Sequence, residues 1–234
     1  LNLVLFDLAE VDRPLSRGDA RAVHILAVLK RREGDSFDAG VVNGPRGKAK
    51  VTMVGPEGLS FRFEGMVDAA VPDPIHLLVA LPRPQTARKI LNEATSLGVS
   101  SMRFFQSEKG EPGYASSTLW KSGEWRRHLL EGAAQAFDTR LPEVSHATRL
   151  ADAMEALPAV CTRIALDNYE AVRRMTPTGV AAPLALAFGP ERGWSAAERT
   201  ILRGAGFELA HLGRRVLRAE TAVVAALAIA KAVP

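Results

Sequence analysis

Two glycine-bearing loops in the last third of the chain hold the residue types best suited to chemistry. Gly189-Pro190-Glu191-Arg192-Gly193-Trp194-Ser195 follows the continuous apolar run Leu184–Phe188, and Ser195-Ala196-Ala197-Glu198 then spells a capping box that starts a helix. Glycine lets a ligand approach the backbone closely, and loops outside the carboxyl ends of strands are where open α/β sheets bind ligands. Taken alone, the segment also reads as an ordinary strand-to-helix turn. The stretch from His211 to Ala222 repeats the arrangement. A short strand leads to Leu212-Gly213, then to the cations Arg214, Arg215 and Arg218, then to an Ala-rich helix. Glu220 falls in the first turn of that helix, where a carboxylate complements the helix dipole. Two such loops ending strands of the same half shift the balance toward a ligand site.

Other reactive side chains lack the spacing for catalysis. The five histidines, at positions 24, 76, 128, 146 and 211, form no HExxH pair, and with one cysteine, Cys161, no metal site is expected. Cys161 reads as a small core residue entering a strand, and a lone cysteine excludes an internal disulfide framework. Trp125 and Trp194 have the rings to stack on a base, but core or interface packing is the better reading of each.

The elements that must position these loops form two patterns. The chain has 234 residues, 47% hydrophobic and 24% charged, enough to build a core without staples. The segment Asp68–Pro74, with Pro72 and Pro74, resists helix and central strand and reads as a linker, so domains over 1–70 and 71–234 are expected. Before it, short strands are predicted at Leu3–Phe6, Ser36–Val42, Ala49–Val54 and Leu59–Phe63, with one helix over Asp19–Leu29 presenting Val23, Leu26 and Leu29. Strand spacing of this kind predicts a small β-barrel. After the linker, strands at Ile75–Leu81, Met102–Phe105, Arg163–Leu166, Leu184–Phe188 and Glu208–Leu212 alternate with helices. The helices are predicted over Thr86–Leu97 (ending at Gly98), Leu119–Phe137, Ser195–Arg203 and Glu220–Val233. Alternation predicts an α/β fold with a parallel, helix-covered sheet.

In combination the two loops closely resemble a known signature. Gly-Pro-Glu-x-Gly-x-Ser-x-x-Glu, followed by Leu-Gly-x-x-Val-Leu-Arg-x-Glu-Thr-Ala, is similar to the C-terminal motifs of the bacterial 16S rRNA (uracil-N3) methyltransferases of the SPOUT superfamily. The resemblance extends through Asn92–Val99, Ser107-Glu108, Trp125-Arg126 and Glu131–Gln135, and in the first domain through Ala22–Ile25, Val28–Lys30 and Glu33–Asp35. It implies a PUA-like β-barrel that helps hold RNA, then a SPOUT domain with a deep trefoil knot, working as a homodimer. The implied cofactor is S-adenosyl-L-methionine (SAM), held by Leu166, Gly189, Pro190, Glu191, Gly193, Leu212, Gly213, Leu217, Thr221 and Ala222. Arg218 and Glu220 are the candidates for the catalytic places, Arg218 either favouring a uracil anion at N3 or making a phosphate contact or salt bridge at the helix start, and Glu220 either orienting it or capping the helix. RNA contacts are expected at His24, Lys30, Arg31, Arg126, Gln135 and Arg140. The implied partner is 16S rRNA within the 30S subunit, since an N3–H masked by pairing must be unpaired or extruded before transfer.

Three departures from the family pattern stand out. Arg192 replaces a glycine of a Gly-Gly pair, Ser96 stands for a glutamate, and Ala136 and Asp138 replace a serine and an arginine. An anion at Asp138 would repel a phosphate, so the target is less firmly implied than the cofactor. An enzyme acting on another RNA uridine and a non-catalytic RNA-binding member therefore remain as alternatives. A nicotinamide dehydrogenase is disfavoured, since no Gly-x-Gly-x-x-Gly follows the first strand of either half. A net charge of +4 permits a polyanionic partner without requiring one. Leu1–Phe6 is apolar but runs into Asp7 without a basic lead, and Ala222–Ala230 is too short to span a bilayer, so a cytoplasmic protein without membrane attachment is expected.

Overall fold

The structure, a computed structural model, describes residues 3–232, with backbone alone at 147–148. Leu1, at the head of the apolar start, and Val233, the expected end of the last helix, lie outside the described residues. Contacts divide the chain into two units. One runs to Val71 and also takes in Ala133–Leu141; the other comprises Pro72–Gly132 and the chain from Pro142 onward.

The first unit is a five-stranded mixed sheet, curled into a half-barrel. Its strands are β1 (Val4–Phe6), β2 (Leu15–Ser16), β3 (Ser36–Val41), β4 (Arg46–Gly55) and β5 (Gly58–Val67), in the order β1-β3-β4-β5-β2. The expected barrel is therefore open, with β1 and the two-residue β2 at its edges. Alternation along the strands turns Ala49 and Val51 of β4, and Leu59 and Phe61 of β5, into one core with Phe6 and Phe37. The Phe6 and Phe61 rings stack with centroids 4.6 Å apart. The helix expected over Asp19–Leu29 is shorter and irregular: α1 (Ala20–Val23) passes into a π turn over His24–Val28. The buried side carries Ala22 and Ile25, while Val23, expected on the apolar face, is half exposed.

Segment 133–141 completes this unit. Thr139 is fully buried, and its hydroxyl donates to the Gly44 carbonyl at 2.6 Å. Asn43 N–H donates to the Thr139 carbonyl (2.8 Å), Leu141 N–H to Asn43 Oδ1 (2.9 Å), and Arg46 to the Phe137 carbonyl. Asp138 Oδ1 accepts from the N–H groups of Thr139 (2.6 Å) and Arg140 (3.1 Å). The departure at Asp138 thus shapes a turn, and its carboxylate is engaged by the local backbone.

The second unit is a seven-stranded, wholly parallel sheet. It contains β6 (Asp73–Ala80), β7 (Val99–Gln106), β8 (Glu143–Arg149), β9 (Thr162–Leu166), β10 (Arg173–Arg174), β11 (Leu184–Phe188) and β12 (Glu208–His211). The order is β10-β12-β9-β11-β6-β7-β8. The helices are α2 (Pro84–Ser96), α3 (Thr118–Lys121), α4 (Glu124–Gln135), α5 (Leu150–Glu155), α6 (Ala196–Gly204) and α7 (Ala219–Ala230). Central β11 and most of β6 are apolar on both faces because both are covered. On one face Leu78, Ala80, Phe105, Ala185 and Ala187 pack with Leu150 of α5 and Leu202 of α6. Helices α2 and α7 lie against each other, contributing the buried Ile90, Leu91, Ala94, Val223, Ala226 and Leu227. The single helix expected over Leu119–Phe137 is broken at Ser122-Gly123. The edge strands β8 and β10 and the short α5 had no sequence reading, being polar or too short for a periodic signal.

Candidate active site

Three adjacent parallel strands, β12, β9 and β11, end side by side, and the loops leaving their carboxyl ends enclose a cleft of about 450 Å³. That volume is in the range of small-molecule sites, and its position matches where parallel sheets bind ligands. Leu166 and the loop Asp167–Tyr169 form one wall, Phe188 to Glu191 with Gly193 and Trp194 a second, and Leu212 with Val216 to Ala219 and Ala222 a third. Arg83, at the start of α2, reaches the rim, its Nε 4.0 Å from Glu191 Oε1.

Helix α6 ties two of these loops together. Ser195 caps it: its hydroxyl accepts from Glu198 N–H at 3.0 Å, and Glu198 Oε2 accepts from Ser195 N–H at 2.9 Å. The other Glu198 oxygen accepts from Glu108 N–H at 3.0 Å, holding the turn after β7. Trp194 is buried, stacked parallel to Phe105 at 5.8 Å, and its indole N–H donates to the Leu166 carbonyl at 2.9 Å. That ring is therefore core packing. Gly193 takes φ +70°, and a Cβ there would fall 2.7 Å from the Tyr169 ring, so the position excludes side chains on both counts.

One turn further along α6, Arg199 forms an ion pair with the fully buried Asp167 carboxylate, Nε to Oδ2 at 2.5 Å. Asp167 Oδ1 accepts from the N–H groups of Tyr169 (2.6 Å) and Glu170 (3.1 Å), which shapes the loop after β9. Burial pushes the Asp167 carboxyl up, but Arg199 and the two backbone donors outweigh it, leaving its pKa below the ordinary value. Glu170 extends the network to Arg199 (3.3 Å) and Arg203 (2.7 Å). Sequence reasoning missed Asp167, Asn168, Tyr169 and Arg83. The available signal was an acidic residue directly after an apolar strand, but its partner lies 32 positions away.

Of the residues expected to hold the cofactor, Leu166, Gly189, Pro190, Glu191, Gly193, Leu212, Leu217 and Ala222 all line the cleft. Gly213 and Thr221 do not; Gly213 turns the chain through an N–H bond to His211 Nδ1 at 3.1 Å, and Thr221 is exposed. Arg218 lines the cleft as the N-cap residue of α7; it is exposed, its carbonyl accepts from Ala222 N–H at 2.9 Å, and its guanidinium makes no hydrogen bond among the described residues. Glu220 lies off the cleft, accepting from Lys89 Nζ at 3.1 Å. Burial raises its pKa, but its own N–H, Lys89 and the nearby Arg218 charge bring it below the ordinary value.

The residues expected to touch RNA divide between the units. His24, Lys30, Arg31, Gln135 and Arg140 belong to the first and Arg126 to the second. Lys30, Arg31 and Gln135 are exposed. The His24 Nε2 atom is buried without a hydrogen-bond partner, so that nitrogen is not offered to solvent. Arg140 is half-buried and donates to the Ala70 carbonyl at 3.2 Å. Among the described residues no group of three or more His, Cys, Asp or Glu side chains could hold a metal ion. No helix among them is long and apolar enough to cross a membrane.

The cleft's donor set suits a zwitterionic nucleoside such as SAM. Leu166, Leu212, Leu217 and Ala222 offer aliphatic walls to a base, Glu191 an exposed carboxylate to a cationic centre, and Arg83 and Arg218 guanidinium groups to a carboxylate. The comparisons with known proteins point the same way. A family model described as an RNA methyltransferase domain matches residues 70–231. The chain is 34% identical to "Ribosomal RNA small subunit methyltransferase E" of Treponema pallidum, over 98% of this chain and 90% of the relative. It is 26% identical to "Ribosomal RNA small subunit methyltransferase E 1" of Borreliella burgdorferi, over 97% and 95%. A crystal structure of the Neisseria gonorrhoeae methyltransferase E bound to S-adenosyl methionine superposes with a TM-score of 0.75 at 23% identity, covering 97% of this chain and 95% of that one, a likeness of fold. A half-barrel followed by a SPOUT-type sheet, with both loop motifs converging on one cleft, leaves a single assignment: the chain belongs to the RNA methyltransferase family that includes ribosomal RNA small subunit methyltransferase E.

Proposed function

We propose that this protein is a SAM-dependent methyltransferase that modifies N3 of a uridine in 16S rRNA, within the assembled 30S subunit. The observation that carries the reading is the meeting of the Gly189–Ser195 and Leu212–Ala222 loops around one cleft, with the unpaired Arg218 guanidinium on its wall. The relatives' names supply the substrate class, ribosomal RNA of the small subunit.

When bound, SAM supplies an electrophilic methyl group, so the chain's own task is to orient the acceptor and manage its charge. Leu166, Gly189, Glu191, Leu212, Leu217 and Ala222 would hold the cofactor, the aliphatic members excluding water from the nucleoside. Transfer would form the N3–CH₃ bond as the sulfonium–methyl bond breaks with its electron pair left on sulfur, and the N3 proton would pass to water. Arg218 favours the uracil anion by facing its carbonyl oxygens, where a fixed cation is worth most. Lys89 holds Glu220 in the first turn of α7, off the cleft, which leaves Arg218 free for substrate. Glu220 on this reading supports the start of α7 and shapes the field around Arg218.

The half-barrel, with Lys30 and Arg31 exposed, contributes phosphate contacts that position the RNA. Helix α7 keeps alanine, valine and isoleucine on its outer side as well as its inner one, which supports a homodimer that covers it. On this reading the protein works in the cytoplasm, where its ribosomal substrate is. The test is incubation with labelled SAM and unmodified 30S subunits, beside free 16S rRNA, followed by nucleoside mass spectrometry. Formation of 3-methyluridine in the subunits is the expected result. Transfer to another position would move the target, and absence of both transfer and SAM binding would overturn the enzyme reading.

A further inference from the structure

The loop after β9 places an aromatic ring in an unusual position. Tyr169 lines the cleft, yet 70% of it is exposed, whereas the rings of Trp194, Phe105 and Phe188 nearby are buried. Its backbone is held by the 2.6 Å bond from its N–H to Asp167, itself fixed by Arg199. Its ring rests on Gly193, whose missing Cβ is what lets it lie there. The ring is therefore held in place with one face turned outward, open to a planar ligand.

Its surroundings indicate what covers it. On the neighbouring residue, Asn168 Nδ2 donates to the Arg215 carbonyl at 3.5 Å, which ties the backbone of the segment carrying exposed Arg214 and Arg215 to the loop that bears the ring. An exposed aromatic face on a loop tied to a segment that carries exposed arginines suits single-stranded nucleic acid, the ring stacking the base and the cations neutralising its phosphates. Of the aromatic residues that line the cleft, Phe188 and Trp194 are buried and Tyr169 is exposed, so among the described lining residues the Tyr169 ring is the one open to an incoming base.

We propose that Tyr169 is the stacking platform for the extruded acceptor uracil, with Arg214 and Arg215 receiving its flanking phosphates. The proposal rests on the methyltransferase reading above and assigns the acceptor subsite to the outer face of the β9 loop. Stacking on Tyr169 holds the base unpaired at the mouth of the cleft, where Arg218 also stands.

The test pairs kinetics with crosslinking. Tyr169→Ala is expected to leave SAM affinity, measured by calorimetry, within about twofold, and to lower kcat/KM for 30S subunits by about 10- to 100-fold, the range for losing one base stack. Tyr169→Phe is expected to restore most of that loss, and an exposed side chain leaves the melting temperature unchanged in both. Loss of SAM affinity in Tyr169→Ala with RNA kinetics intact would assign the ring to the cofactor and overturn the proposal, as would unchanged kcat/KM. Independently of product, 30S subunits assembled with 5-iodouridine-containing 16S rRNA should crosslink at Tyr169 on irradiation. A crosslink there without 3-methyluridine would keep the platform and discard the N3 reading. Methylation with no crosslink at Tyr169 would do the reverse.

Discussion

Arg218 and Asp167 show how differently two charged residues beside one cleft can be used. The Arg218 guanidinium makes no hydrogen bond or ion pair among the described residues and lines the cleft, whereas Asp167 is fully buried and spends both oxygens on Arg199 and the backbone. Arg218→Glu is expected to lower kcat by about 10²–10³-fold or more while SAM binding by calorimetry persists, since removal of one fixed donor costs that much. Turnover unchanged in that variant would remove the residue from the reaction. Arg199→Met leaves the Asp167 charge buried without its partner, and a loss of about 3–5 kcal/mol in chemical denaturation is expected at neutral pH. Because the folded Asp167 pKa is depressed below its unfolded value of 3.8, the pair's stabilisation is complete above that value and is lost as pH falls through the folded pKa. Wild type and variant should therefore converge in stability toward strongly acidic pH; a constant gap would assign the cost to packing instead. Arg218 was legible in the sequence because it sits inside a motif. Asp167 was not, because nothing local distinguishes it from any surface aspartate following a strand.

At the scale of elements, the motif loops work because helices fix them from behind. Helix α6 begins in one loop and grips the next through Arg199, so a single rigid element sets the distance between two cleft walls. Helices α2 and α4 meet at Gly132, where a Cβ would lie 2.4 Å from the Asn92 carbonyl oxygen, and Ser96 donates to the Gly132 carbonyl at 3.0 Å. The serine at position 96, a departure from the family pattern, is thus fitted to a close helix crossing. Gly132→Ala should force the helices apart and cost about 1–3 kcal/mol, read as a lowered denaturation midpoint without change of slope. A neutral result would mean the crossing has slack. Elements with strong periodicity, such as β11 and α2, were readable to within a residue or two. The break at Ser122-Gly123, the π turn at His24–Val28 and the polar edge strand β8 were not, because tertiary partners set them rather than local preference.

At the scale of the whole molecule, the boundary between units is not a single cut. Segment 133–141 belongs with the half-barrel, supplying Thr139 to its interior and satisfying the Asn43, Gly44 and Arg46 groups. A fragment ending at Val71 loses those bonds at roughly 1 kcal/mol each, a large share of the about 5–15 kcal/mol that holds a small domain together. That fragment should melt without a cooperative transition, and linking residues 133–141 to its end should restore one; cooperative melting of the bare fragment would contradict this account. The proposed homodimer is checked by sedimentation equilibrium, which should return twice the 25.2 kDa chain mass. A charge placed on the outer side of α7, as in Val224→Glu, should shift the mass toward the monomer, and an unshifted mass would locate the interface elsewhere.

The sequence by itself determined the parallel, helix-covered character of the larger unit and the two loop motifs, and the resemblance those motifs carry pointed to many of the residues that line the cleft. Runs of apolar residues at strand length, capping boxes and glycines act over a few positions, so their consequences are local and can be read in order along the chain. Only the tertiary structure decided that β12, β9 and β11 end side by side, that Asp167 meets Arg199 across 32 positions, that Tyr169 is left uncovered on Gly193, and that 133–141 returns to the first unit. Those outcomes depend on which surfaces find each other once the whole chain is compact, and no short-range preference encodes them.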